Sequence, residues 1–181
     1  MKYLITCAGS KIVPTTRNES SLNHLSHSDL LHDARVELLN LTGIQLDWNY
    51  TLPAWKLYSG TYSRLYPKVS TENWQKKCVQ IKILSALFGW INHNDLVPFY
   101  DTQMKDLIVQ NNQRIYKYWH NHQLLQNIVE QNDIDLLSGD YRKAVHGNIN
   151  PIAVIPNQQF TDYGVQKGIW LNGQLNDIVC N

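Results

Sequence analysis

The chain has 181 residues, enough for one domain with a sizeable core and too short for two ordinary ones. Hydrophobic residues make up 43% and charged residues 17%, a balance that excludes a mainly disordered chain. Sixteen Lys+Arg against fifteen Asp+Glu leave a net charge of +1, so bulk electrostatics point to neither nucleic acid nor an anionic membrane, and any anion site must be local.

Residues 3–7 are a short apolar run ending in Ala8-Gly9-Ser10, the pattern of a buried strand that delivers a loop at its carboxyl end, with Lys11 at the exit. Four residues separate Lys2 from Cys7, fewer than the roughly 7–15 apolar residues of a signal sequence, so the segment reads as a first strand. Residues 13–26 are polar, contain Pro14 and lack periodicity, and read as a mobile loop. Ser28 and Asp29 offer an N-cap to a helix whose Leu30, Leu31, Ala34, Leu38 and Leu41 recur at three- and four-residue spacings, closed by Gly43. In residues 53–68, Tyr58, Tyr62 and Tyr66 recur every four positions around Gly60, which fits a turn followed by a short helix. Residues 80–87 give a second buried strand that empties into a loop beginning Ser85-Ala86-Leu87-Phe88-Gly89-Trp90.

Residues 112–131 carry the strongest helical pattern, with Ile115, Tyr118, Trp119, Leu125, Ile128 and Val129 making an apolar stripe expected to cover the sheet. Residues 134–138 are a third strand, followed by Gly139-Asp140-Tyr141-Arg142-Lys143, and residues 152–155 a fourth between Pro151 and Pro156. This alternation favours a single α/β domain over residues 1–181, its mainly parallel or mixed sheet flanked by helices, with ligands beyond the carboxyl ends of strands. Residues 148–181 form a carboxyl-terminal extension. No segment approaches the ~20 apolar residues of a membrane span. Cys7, Cys78 and Cys180 are odd in number, widely separated and without CxxC spacing, which argues against a disulfide framework or structural zinc and fits a reducing cytoplasm.

The stretch Cys7-Ala8-Gly9-Ser10-Lys11 joins flexible backbone, a hydroxyl and a cation, the ingredients of an anion cradle, although GxxxxGK[ST] is absent. An ordinary strand-to-loop turn with a solvated lysine uses the same residues. Ser85, Asp95, Tyr100 and Asp101 stand among aromatics suited to stacking a planar base, or to forming an aromatic core with capping carboxylates. Seven histidines occur without HExxH or a matched carboxylate set, so no metal site is expected. GxSxG and GxGxxG are also absent, and no cofactor is implied. Arg142, Lys143 and His146, with Arg114 and Lys117, have the charge to touch phosphate or to form a solvated face.

Several segments together are similar to a known family. Pro53-Ala54 with Tyr58-Ser59-Gly60-Thr61-Tyr62, then Ile83-Leu84-Ser85-Ala86-Leu87-Phe88-Gly89 with Asp95-Leu96, Tyr100 and Met104, then Ile115-Tyr116 with Trp119, then Leu137-Ser138-Gly139-Asp140-Tyr141, resemble in order and spacing the YaaA family of peroxide-stress proteins. Ser10-Lys11 corresponds to the end of that family's amino-terminal SPAK motif, while Asp101 and Gln103 stand where the family has Arg and Glu. Cys7 and Lys11 are also similar to the C-xxx-K element of archaeosine synthase, an enzyme that modifies a deazaguanine base in transfer RNA. The resemblance implies an α/β fold elaborated by helices, a positively lined cleft, association with DNA and a cytoplasmic role in limiting oxidative damage.

Three readings follow, the third being a structural or interaction protein with no small ligand. In the first, the cleft binds DNA or a nucleotide, with Lys11 as the cation and a ligand set of Cys7, Ser10, Tyr58, Gly60, Tyr62, Gly89, Asp95, Tyr100, Tyr141 and Lys143. In the second, the protein is an enzyme acting on a nucleobase or nucleotide, with Lys11 as catalytic amine or cation, Ser85 beside it and Asp101 or Asp95 as general acid/base. The second requires Lys11, Ser85 and Asp101 to converge.

Overall fold

The computed structural model describes every residue except Met1, Asn150, Ile152, Val154, 157–159, Thr161, Tyr163 and Asn181. Strand β1 (Tyr3–Thr6) lies inside a four-stranded sheet with β3 (Ile81–Ser85), β4 (Gly89–Asn92) and β8 (Ile134–Asp135), in the order β4-β3-β1-β8. The pairings of β1 with β3 and with β8 are parallel, and that of β3 with β4 is antiparallel, so the sheet is mixed. Every residue of β3 is buried, as expected of a strand covered on both faces. Lys82 tolerates this position because its ammonium donates to Ile128 O at 3.2 Å, and burial lowers its pKa to about 8.

Helix α1 spans Ser28–Thr42 and Gly43 closes it, as its spacing predicts. Its N-cap is His27, one residue before the expected Ser28. Unforeseen on its buried face is Arg35, fully buried, whose guanidinium donates to Phe88 O, Trp90 O and Ser26 O at 2.7–2.9 Å. Residues 13–26 are mostly irregular but anchored: Asn18 bridges to Tyr50, Leu25 is buried, and the Ser26 amide and hydroxyl both donate to Asp95 at 2.8 Å.

Four expectations are corrected. Over residues 53–68 the turn at Gly60 and a short 3₁₀ helix at Tyr66–Lys68 follow in the expected order, but an unforeseen short helix α2 (Ala54–Leu57), entered directly from β2 (Thr51–Pro53), precedes them. The residues after β3 are not an open loop but a hairpin, since Ser85 pairs with Gly89 and its Oγ accepts from the Leu87 and Phe88 amides at 3.2 and 3.1 Å. Gly89 is at φ +63°, and a Cβ there would press on Leu125 and Trp119. The chain then enters β5 (Leu96–Pro98), antiparallel to β2.

Residues 112–131 are also not one helix. A small β6 (Leu107–Ile108) and β7 (Gln113–Arg114) ribbon precedes α4 (Ile115–His122), which stops at Gln123 in the left-handed region before a 3₁₀ turn at Leu125–Ile128. Tertiary packing decides this: the break lets Trp90 Nε1 donate to Leu125 O at 3.0 Å while Trp119 Nε1 donates to Ala86 O at 2.8 Å. The apolar stripe itself is buried throughout, as expected. Helix α5 (Gly139–His146) follows β8 and packs against α4.

The fourth correction concerns the cysteines. Helix α6 (Val165–Asn176), which no pattern announced, packs against the Tyr66–Lys68 turn and against α3 (Thr71–Gln75), and beyond it Cys180 is disulfide-bonded to Cys78. The two are 102 residues apart, a distance that only the docking of α6 removes. The expected strand at 152–155 falls largely outside the described residues, and the described Ala153 and Ile155 are not in a strand. No helix among the described residues is long and apolar enough to cross a membrane.

Candidate functional site

The carboxyl ends of β1 and β3 sit side by side, with Cys7 N donating to Leu84 O at 3.0 Å. The loop leaving β1 is held from its other side, because Ile12 N donates to Leu57 O at 2.8 Å and the Tyr62 amide donates to Ser10 Oγ at 3.1 Å. Gly60 makes this approach possible: a Cβ there would lie 2.5–2.6 Å from Ser10 Oγ and the Ser10–Lys11 backbone. The glycine of the tyrosine repeat is thus required by the loop bearing Lys11.

Lys11 turns inward from that loop. Its ammonium lies 4.4 Å from the Tyr100 ring centroid and 6.0 Å from that of Tyr58, and it is buried with no hydrogen-bond partner among the described residues. The ring faces offer a cation–π attraction. Burial pulls its pKa below the ordinary lysine range, opposed by the Cys7, Asp101 and Asp106 charges.

Each tyrosine hydroxyl here has a partner, and two of them join Ser85 in a chain. Tyr100 OH meets both Tyr58 OH and Ser85 Oγ at 2.7 Å, Tyr141 OH lies 3.2 Å from Cys7 Sγ, and Tyr66 OH donates to Thr6 O at 2.8 Å. Burial holds all four phenols well above their usual range, so they are neutral hydrogen-bonding groups near pH 7. Beside them, a cleft of about 200 Å³ opens among Cys7, Ser10, Ser63, Arg64 and Tyr66. Ser63 Oγ is buried there without a partner among the described residues, and Arg64 pairs with Asp162 at 3.2 Å.

Cys7, Ser10, Lys11, Tyr58, Gly60, Ser85, Tyr100 and Tyr141 therefore come together from five parts of the chain. Asp101 is exposed, yet near enough to act electrostatically on Lys11. Tyr62 joins through its backbone, its ring being 86% exposed. Three sequence candidates lie elsewhere. Gly89 serves the hairpin, and Asp95 accepts from Ser26 and Asn92. Lys143 pairs with Asp140 at 3.1 Å and lies over the Tyr116 ring.

Of the other basic residues, Arg142 binds the buried Asp135 carboxylate and Arg114 donates to Lys105 O, while Lys117 is exposed. Ser63 and Arg64 were not singled out by the sequence. Their signal was adjacency to the repeat, since the turn between Tyr62 and Tyr66 is what forms the cleft wall.

A family model described as peroxide stress protein YaaA matches residues 1–175. No match is found among curated proteins. The family match covers nearly the whole chain, and the chain belongs to that family of peroxide-stress-related proteins.

Proposed function

We propose that this member of the peroxide stress protein YaaA family binds a nucleotide, free or as an unstacked unit of DNA, at the junction of β1 and β3. The observation that carries the reading is the Lys11 ammonium, buried beside two aromatic rings and without a hydrogen-bond partner among the described residues. Keeping an unpaired cation out of water is costly, and an anionic ligand would offset that cost. Ser10, Ser63 and the loop amides add donors suited to phosphate.

A nucleotide fits better than a duplex lying in a basic groove. The cleft is small, and Arg64, Lys143 and Lys2 are each paired with a carboxylate. Duplex binding draws its affinity from many free phosphate contacts. A second reading, chemistry on the bound base or nucleotide with Lys11 as its amine, is favoured by the lowered Lys11 pKa and the Ser85–Tyr100–Tyr58 hydroxyl chain. The exposure of Asp101 leaves its general acid/base role dependent on how a ligand covers it.

The test is a thermal-shift screen of the wild type and Lys11→Met against nucleosides, nucleotides, inorganic phosphate and short oligonucleotides at two salt concentrations. A nucleotide should raise the wild-type melting temperature and leave the variant unchanged. Equal shifts in both proteins, or none with millimolar nucleotide, would remove the proposal; product analysis of the stabilising nucleotide separates binding from chemistry.

A further inference from the structure

Cys78 and Cys180 are both exposed, in contrast to Cys7, which is buried against Tyr141. Their Cα atoms are 5.6 Å apart, and the two segments carrying them are held together by more than the disulfide. Asn73 Nδ2 donates to Asn172 Oδ1 and Asn176 Oδ1 at 2.8 and 2.7 Å, and Lys76 Nζ donates to Leu175 O and Ile178 O at 2.6 and 3.1 Å. With Leu171 and Leu175 fully buried, these contacts dock α6 independently of the sulfur atoms. Two thiols would therefore remain within reach of each other after reduction. The thiolate is the form of a cysteine that attacks an oxidant, and exposure leaves both sulfur positions open to one.

We propose that Cys78 and Cys180 form a peroxide-reactive dithiol, with a hydroperoxide as its oxidising substrate. The Cys78 thiolate attacks one peroxide oxygen, the O–O bond breaks, and the departing oxygen takes a proton to leave as water or an alcohol, giving a sulfenic acid on Cys78. The Cys180 sulfur then attacks the Cys78 sulfur, the S–O bond breaks, and water leaves with the thiol proton. With hydrogen peroxide the balance is two thiols and one peroxide giving one disulfide and two waters, and a dithiol reductant returns the pair to its starting state. Oxidation fastens the carboxyl-terminal end of α6, whose Gly168 packs on the Leu65 backbone, with Gly164 just before the helix against Arg64 in the cleft wall. The thiol chemistry stands apart from the nucleotide reading.

The experiment counts thiols in the full chain, reduced and freed of reductant, then given one equivalent of hydrogen peroxide, denatured and alkylated. The alkylatable thiols should fall from three to one, with Cys7 the survivor, a Cys78–Cys180 cross-linked peptide seen by mass spectrometry, and all three recovered on adding dithiothreitol. Cys180→Ser, treated with peroxide and dimedone, should carry the sulfenic acid adduct at Cys78. Persistence of three thiols under excess peroxide, preferential oxidation of Cys7, or disulfides only between chains would overturn the proposal. The count on the wild-type chain does not depend on whether the serine variant folds, and no ligand enters it.

Discussion

Lys11 shows at the residue scale what the site costs the fold. An ammonium held against two aromatic rings without a hydrogen-bond partner among the described residues loses more hydration than the rings return. Lys11→Met keeps most of the stem packing and removes the charge, and is expected to raise stability by about 1 kcal/mol in chemical denaturation while abolishing nucleotide binding. A drop in stability would mean that the ammonium is satisfied in the free protein. His27 makes a separate residue-scale prediction. Burial, together with Lys82, Arg35 and Lys2 and against Asp29, lowers its pKa to about 4. The unfolded chain then binds this proton first as pH falls, so the neutral-His27 contribution is whole above about 6.5 and lost as pH drops through about 4, on the order of 1 kcal/mol once solvent screening of the half-buried ring is counted. His93 and His146 are lowered too and act in the same sense. His27→Asn, which tolerates the left-handed φ of +61°, should flatten the pH dependence of stability between about 4 and 6.5, measured by urea denaturation.

At the scale of elements, the apolar spacing located buried faces better than element ends. Every apolar position of the 112–131 stripe is buried, but the helix carrying it ends at His122 because the polar Asn121-His122-Gln123 stretch lets the chain turn and bring Leu125 to Trp90. Gln123 takes φ +54° there, so Gln123→Gly is expected to stabilise the protein by about 0.5–1 kcal/mol. A continuous helix would make the same change destabilising by about 1 kcal/mol, so the sign of the shift in the denaturation midpoint decides. In the tyrosine repeat, whose spacing around Gly60 fits a turn followed by a short helix, Tyr58 and Tyr66 are buried and Tyr62 is exposed. The repeat spans a short helix, a turn and a 3₁₀ turn, and its positions acquire meaning only from the Cys7–Lys11 loop laid against Gly60.

For the whole molecule, the largest departure from expectation is the closure of the chain by α6 and the Cys78–Cys180 bond. A cross-link closing a loop of about 100 residues constrains the unfolded chain by about 4–5 kcal/mol in the chain-entropy account. Reduction of the wild type is therefore expected to lower its stability toward that amount in urea, whereas Cys180→Ser should be insensitive to reductant. The amino-acid sequence by itself determined the α/β class, the buried strands at β1 and β3, helix α1 and the loop that offers Lys11, because apolar runs, helical spacing and glycine positions are local signals. It also determined family membership, through patches whose order survives along the chain. Only the tertiary structure decided the antiparallel hairpin of β4, the break after α4, the burial of Arg35 and the pairing of Cys78 with Cys180. It likewise separated Asp95, Gly89 and Lys143 from the cluster at Lys11. Each of these depends on residues far apart in sequence meeting in space, where burial and the need to satisfy buried polar groups override local preference.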